Sequence, residues 1–419
     1  MKRIVLASLV VIAIMAFGFF VFSQKTTGLI PREVLFSLPE RSAPMISPDG
    51  LFVAYLAPYK KVLNVWLRER KTSTERVLTH DVGRGIHSYF WAPDGKSVLY
   101  IQDQEGNENW HLYKVDIAGG TAKDLTPFDG VQARILEVDQ HFPDEILIEL
   151  NKENSSRHDV YRLDLKTGAL ALVARNPGNI SDWIVDSEMK VRGAVASRIE
   201  GGYDVMVRDS ESSPWRKIFS WDLEDSATSS VVGFSKNGKM LYLIDSRGRD
   251  AAALVKMDLA TGKIATIFSD PNYDVSRVIV NSEDHEIDMV SVYRSRNEWT
   301  ALRDSVREDL EILQKSSSGE LLFGNRSDNN RYWVVGFDND VSPLNYYVYD
   351  RATRRKEFLF THRPALLKRP LSPMEAVVIR SRDGLMLHGY LTVPKRGKKP
   401  FPMVVFVHGG PWTRDGWGY

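Results

Sequence analysis

The most chemically suggestive run lies near the end of the chain. His408-Gly409-Gly410-Pro411-Trp412 follows the apolar stretch Met403-Val404-Val405-Phe406-Val407. Paired glycines after a strand-like run have two readings. They make a plain turn before proline, or a loop whose backbone N–H groups can approach a ligand closely because no Cβ intervenes. Other chemistry is sparse. There is no cysteine, which excludes disulfides, thiolate metal sites and a cysteine nucleophile. The nine histidines include no His-Glu-x-x-His, since His285-Glu286-Ile287-Asp288-Met289 lacks the second histidine, so no metal site is expected. No Gly-x-Ser-x-Gly occurs; in Gly233-Phe234-Ser235-Lys236-Asn237-Gly238 the second glycine comes one place late. No dinucleotide or phosphate loop is present, and no cofactor is implied. Asp103, Asn107, Glu108 and Asn109 form a polar hairpin tip, read first as turn chemistry and second as a grip on a peptide terminus. Arg354-Arg355-Lys356 and Lys395-Arg396-Gly397-Lys398-Lys399 read as solvated turns.

The elements that would position these residues are mostly strands. Short runs rich in Val, Ile, Leu, Tyr and Phe alternate with Gly, Asp, Asn and Pro turns. The turns recur: Ser47-Pro48-Asp49-Gly50, Ala92-Pro93-Asp94-Gly95 and Ser235-Lys236-Asn237-Gly238 sit at multiples of about 46 residues. A second ladder of acidic residues keeps the same period at Glu69, Asp116, Asp164, Asp209, Asp258 and Asp350. A period of this size with about four strands per unit marks a β-propeller, whose blades bury their apolar faces only by packing in a ring. The spacing predicts a mainly β fold, with a propeller of about seven blades over 45–364 after an N-terminal segment at 24–44. Leu302, Val306, Leu310 and Leu313 share one helical face, so a helical insertion is expected near 299–314, with Asp304 on the acidic ladder by coincidence.

From 365 to 419 the pattern changes. Glu375–Arg380 and Leu385–Val393 flank Arg382-Asp383-Gly384, a strong hairpin signal. The continuous apolar run 403–407 suits a central strand of an α/β sheet. At the other terminus, Lys2 and Arg3 precede an uncharged apolar run from Ile4 to Phe22, close to the ~20 residues that span a bilayer. Residues 1–23 therefore read as a signal peptide, cut before Gln24, or as an uncleaved membrane anchor. The rest is expected to be exported, periplasmic or extracellular, touching a membrane only through that segment. Lys+Arg 55 against Asp+Glu 54 leaves no basic excess for nucleic acid. A homo-oligomer is compatible with these features.

Pro402 to Trp412, together with Ser381-Arg382-Asp383-Gly384-Leu385 and Gly389-Tyr390-Leu391-Thr392-Val393-Pro394, resembles the opening of the hydrolase domain in the prolyl oligopeptidase family of serine peptidases, in its His-Gly-Gly-Pro branch. The Ser-Pro-Asp-Gly turns and the Gln102–Asn109 hairpin resemble its propeller. The resemblance implies a propeller followed by the first strands of an α/β-hydrolase domain, short peptide substrates and acyl-enzyme chemistry. It implies that Gly409 or Gly410 offers an oxyanion N–H, with His408 and Pro411 shaping that loop. In this fold the catalytic Ser, Asp and His follow the oxyanion loop, and none of them is in the 419 residues. The chain thus reads as a peptidase cut short before its triad, inactive alone. Alternatives are an esterase on the same scaffold and a non-enzymatic periplasmic propeller serving as a binding module.

Overall fold

A computed structural model describes residues 29–410 and 412–419. The signal or anchor read at 1–23 and the loop residue Pro411 lie outside the described residues. The chain divides into two units, Met1–Leu38 and Pro39–Tyr419. The first shows a short helix, Arg32–Leu35.

The second unit is built of antiparallel sheets, each from consecutive strands. The first blade uses Ser42–Ile46, Phe52–Tyr59, Val62–Glu69 and Glu75–Val77. Blades 2 to 7 occupy 88–124, 133–174, 180–221, 230–268, 275–301 and 320–361. The strand period of two explains how one blade serves two neighbours. In Glu145–Leu150, Ile146 and Ile148 turn toward blade 2 while Leu147 turns toward blade 4, and all three are fully buried. Repeated round the ring, this gives seven hydrophobic clusters among the described residues, one for each pair of adjacent blades. The molecule is a seven-bladed propeller.

Blades 1 and 7 exchange no strand. Their seam joins Ile46, Val53 and Tyr55 to Val334, Val348 and Phe360. The Asn325 side chain stitches it, accepting from Ile46 N at 2.8 Å and donating to Ile46 O at 2.7 Å. Asn325 sits at a bulge, where the blade 7 register shifts between Phe323 and Arg326, and this frees its side chain to imitate a strand partner.

Both sequence ladders are turns. Asp49, Asp94 and Asn237 accept backbone N–H bonds between the first and second strands of their blades. Asp164, Asp258 and Asp350 do so between the third and fourth. Blade 7 repeats the first device as Ser327-Asp328-Asn329-Asn330, with Ser327 Oγ donating to Asn329 Oδ1 at 2.8 Å.

Blade 6 has three strands and a helix, Asp304–Lys315, beside the last of them. The helix begins five residues later than the apolar spacing suggests. Trp299 belongs to the strand Asn297–Ala301, and its Nε1 donates to Leu321 O at 2.9 Å. Val306, Leu310 and Leu313 join Met289, Trp299 and Trp333 in one cluster, so the helix covers the face between blades 6 and 7. Asp304 is the first residue of this helix.

After the ring, Met374–Arg380 and Met386–Thr392 pair in full register as the expected hairpin. The run 403–407 departs from the expectation of a central strand. It joins none of the sheets, and Val404 is 89% exposed. An apolar run gains burial only when neighbouring strands flank it, and none does here.

Candidate functional site

The ring has two ends. First strands run toward one end, where the turns carrying Pro48, Pro93 and Asn237 lie. Loops between second and third strands lie at the other end. The C-terminal hairpin docks at this second end, on loops of blades 6 and 7. Met374 N donates to Asp340 Oδ2 at 2.8 Å, and Tyr390 OH donates to Ser295 O at 2.7 Å. His388 meets Tyr273 edge-on, ring centroids 6.1 Å apart.

The last residues strengthen this docking. Trp417 is buried, donates Nε1 to Met374 O at 3.0 Å, and donates its backbone N–H to Tyr293 Oη at 2.7 Å. The Arg296 guanidinium lies 3.7 Å from the Trp417 ring centroid. Arg414 donates to the carbonyls of Tyr293 and Arg294 at 2.8 and 2.7 Å. Burial pushes the Tyr293 hydroxyl well above its usual pKa, so it stays protonated at neutral pH.

Between hairpin and clamp runs the glycine loop. His408, Gly409 and Gly410 are exposed, and His408 Nδ1 donates to the neighbouring Gly409 carbonyl at 2.8 Å. A Cβ on Gly409 would meet nothing within 4 Å. Gly410 has φ +136°, and a Cβ there would come 2.9 Å from Trp412 N, so this position needs glycine. No nucleophile–base pair stands beside the loop among the described residues.

The polar tip on blade 2 is mainly structural. Asp103 is buried and accepts from Glu108 N at 3.1 Å and Arg84 Nε at 3.2 Å. Burial would raise its carboxyl, but these donors outweigh it and hold the pKa low. Asn109 N donates to Asn107 Oδ1, closing the turn. Glu105 and Glu108 take positive φ values of 55° and 59° and are exposed.

Two other sequence candidates also find structural roles. Glu286 Oε2 accepts from Tyr242 OH at 2.8 Å, which ties blade 6 to blade 5. No group of three potential ligands stands together among the described residues. The Arg354–Lys356 turn is solvent-exposed at Arg354 and Arg355, as read, and also touches the blade 6 helix and its C-terminal cap. Arg354 pairs with Glu308, and Lys356 Nζ donates to Ser316 Oγ at 2.7 Å.

A further feature, missed by sequence reasoning, is the cavity on the ring axis. All seven blades line a cavity of about 600 Å³ through residues such as Met45, Phe90, Glu137, Val185, Val232 and Ile279, with Asn325 completing the circle. Its walls are first-strand ends and the turns that follow them, the surface the turn ladder traces. Burial pushes the Glu137 carboxyl up to about 7, with the Asp139 charge adding to the shift.

No family model matches the chain. Dipeptidyl aminopeptidase BIII of Pseudoxanthomonas mexicana is 38% identical over 402 residues, which cover 94% of this chain and 58% of that protein. Dipeptidyl peptidase family member 6 of Caenorhabditis elegans is 27% identical over 432 residues, 93% of this chain and 58% of that protein. The chain thus spans 58% of the length of each of these relatives. Among solved structures, a puromycin-hydrolyzing peptidase of Mycobacterium tuberculosis matches with TM-score 0.62 at 15% identity, over 89% of this chain and 62% of that one. A structure from a study of two prolyl endopeptidases matches with TM-score 0.61 at 14% identity, over 85% of this chain and 54% of that one. At such identities the structural likeness speaks to the fold. Fold and relatives together define a peptidase-type propeller domain. These relatives and structural neighbours support a peptidase propeller domain of the prolyl oligopeptidase type.

Proposed function

We propose that this chain is the propeller and the opening of the hydrolase domain of an exported serine peptidase that acts on short peptides. The observation that carries the reading is the 38% identity to a dipeptidyl aminopeptidase, which runs over 94% of the chain and so extends beyond any single blade. In this reading the N–H of Gly409 or Gly410 stabilises the oxyanion formed when a serine attacks the scissile carbonyl. Such a donor contributes on the order of 10²–10³ in rate. His408 and Pro411 shape the loop and transfer no proton. The ring excludes folded proteins, and the docked hairpin fixes the loop over the blade 6 end.

The 419 residues contain no Gly-x-Ser-x-Gly, and we take the chain by itself to be inactive. The purified chain, incubated with dipeptidyl-nitroanilide substrates, should release no nitroaniline. Release abolished by a serine-directed phosphonate would overturn this. Export rests on Lys2, Arg3 and the apolar run 4–22. Cell fractionation with N-terminal sequencing tests it and tells a cleaved signal from an anchor.

A further inference from the structure

We propose that Asn237 is a site of spontaneous modification: its side-chain amide is hydrolysed in the folded chain, through a cyclic imide with Gly238, to a carboxylate that the blade 5 turn is already shaped to hold. Asn237-Gly238 is the one Asn-Gly pair in the sequence. It lies in the turn between the first two strands of blade 5, and Asn237 is exposed.

The turn brings the reacting groups together. Asn237 Oδ1 accepts from Lys239 N at 3.0 Å and from Ser235 Oγ at 2.9 Å. The first bond folds the side chain forward over the peptide it skips, whose nitrogen, Gly238 N, is the attacking atom. Both donors sit on the oxygen that gathers negative charge during the attack, the arrangement that stabilises an oxyanion. Glycine leaves the nitrogen unscreened. Packing also demands glycine here, since φ is +64° and a Cβ would clash with Arg192 Nη1. The step balances with water alone. Gly238 N bonds to Asn237 Cγ, and Nδ2 leaves as ammonia, carrying the proton that Gly238 N gave up. Water then adds at Cγ, the new Cγ–N bond breaks, and Gly238 N regains a proton.

Sister turns show the product and what controls the step. In blades 1 and 2 the same position belongs to Asp49 and Asp94, which accept the same main-chain bond, from Leu51 N and Lys96 N at 2.9 Å each. A carboxylate at position 237 therefore needs no rearrangement. In blade 7, Asn329 Oδ1 accepts from Arg331 N at 3.1 Å and Ser327 Oγ at 2.8 Å, but the next residue is Asn330, with φ +53°. The two amides share a turn and differ in whether a side chain screens the attacking nitrogen. Conversion at 237 would cancel the formal net charge of +1.

The purified chain is held at mildly alkaline pH and sampled by mass spectrometry of chymotryptic peptides, with fragmentation assigning the residue. Asn237 should gain the mass of amide-to-acid exchange roughly tenfold faster than Asn329. A more acidic band should grow in step on isoelectric focusing. Conversion should quicken with pH, because Gly238 N must lose a proton now bonded to Ser235 O at 2.8 Å. Ser235→Ala should slow it about fivefold, the effect of one lost hydrogen bond. Asn237→Asp should keep the parent's denaturant midpoint. An intact Asn237, equal conversion at Asn329, a Ser235→Ala rate like the parent's, or a lowered Asn237→Asp midpoint overturns the proposal. No peptidase activity enters the readout, so its outcome is separate from the fate of the peptidase reading.

Discussion

Glu137 shows how a single position reports on the axial cavity. Its carboxyl sits in the cavity wall, with Val138 N donating to it at 3.3 Å and Asp139 nearby. The folded state keeps its proton up to about pH 7, whereas an unfolded glutamate releases it near 4.5. Between those values the folded state binds more protons, so rising pH costs stability. Glu137→Gln should remove this cost. Urea midpoints should show a gain of roughly 1–3 kcal/mol at pH 8 and almost none at pH 4.5. An equal gain at both values would show that the carboxyl is not shifted. Legibility at this scale was uneven. Asp49, Asp94, Asp164 and Asp258 could be picked out because a carboxylate that caps a tight turn leaves a local signature. Ser327-Asp328-Asn329-Asn330 does the same work, but Asn-Asn replaces the Asp-Gly signal and hides it. The Gln140–Glu283 contact had no signature at all, since 143 residues separate its partners.

At the scale of elements, blade 6 is the exception that tests the blade logic. Its helix closes the space over the seam to blade 7, with Leu313 fully buried. Leu313→Ala should cost about 2–5 kcal/mol in the denaturant midpoint with an unchanged slope. Asp304→Ala, on the exposed first turn, should be close to neutral. The start of this helix was misread because Trp299 falls three residues before Leu302 and so extends the helical spacing backward into a strand. Apolar periodicity cannot separate a buried strand residue from a helical one when the two elements adjoin. The run 403–407 was misread for a related reason: composition states a demand for burial but not whether partners are present. The C-terminal clamp, which no motif announced, is testable by Trp417→Ala. Amide exchange in 374–392 should quicken while the blades keep their protection, because the lost indole bridges Met374 of the hairpin and Arg296 of blade 6.

For the whole molecule, the repeat period alone yielded the architecture, because seven similar units have few ways to bury two faces each. What the period could not reveal is how the ring closes. Asn325 carries two hydrogen bonds to the Ile46 backbone across the seam of blades 7 and 1. Asn325→Ala should cost about 1–3 kcal/mol by leaving that backbone unpaired. The loss should appear first as faster amide exchange near Met45–Ser47 and Gly324–Arg326. Uniform loosening of all blades would contradict a localised seam.

Because every blade is a continuous stretch of sequence, six of the seven junctions join neighbours along the chain, and only the seam of blades 7 and 1 spans nearly the whole length. As synthesis proceeds from the N-terminus, each module can settle against its predecessor soon after it leaves the ribosome. Blade 1 must then wait, with Ile46 and Val53 uncovered, until residues beyond 320 have emerged. That interval, set by translation speed, is when a chaperone has most to protect and a stray strand most to invade.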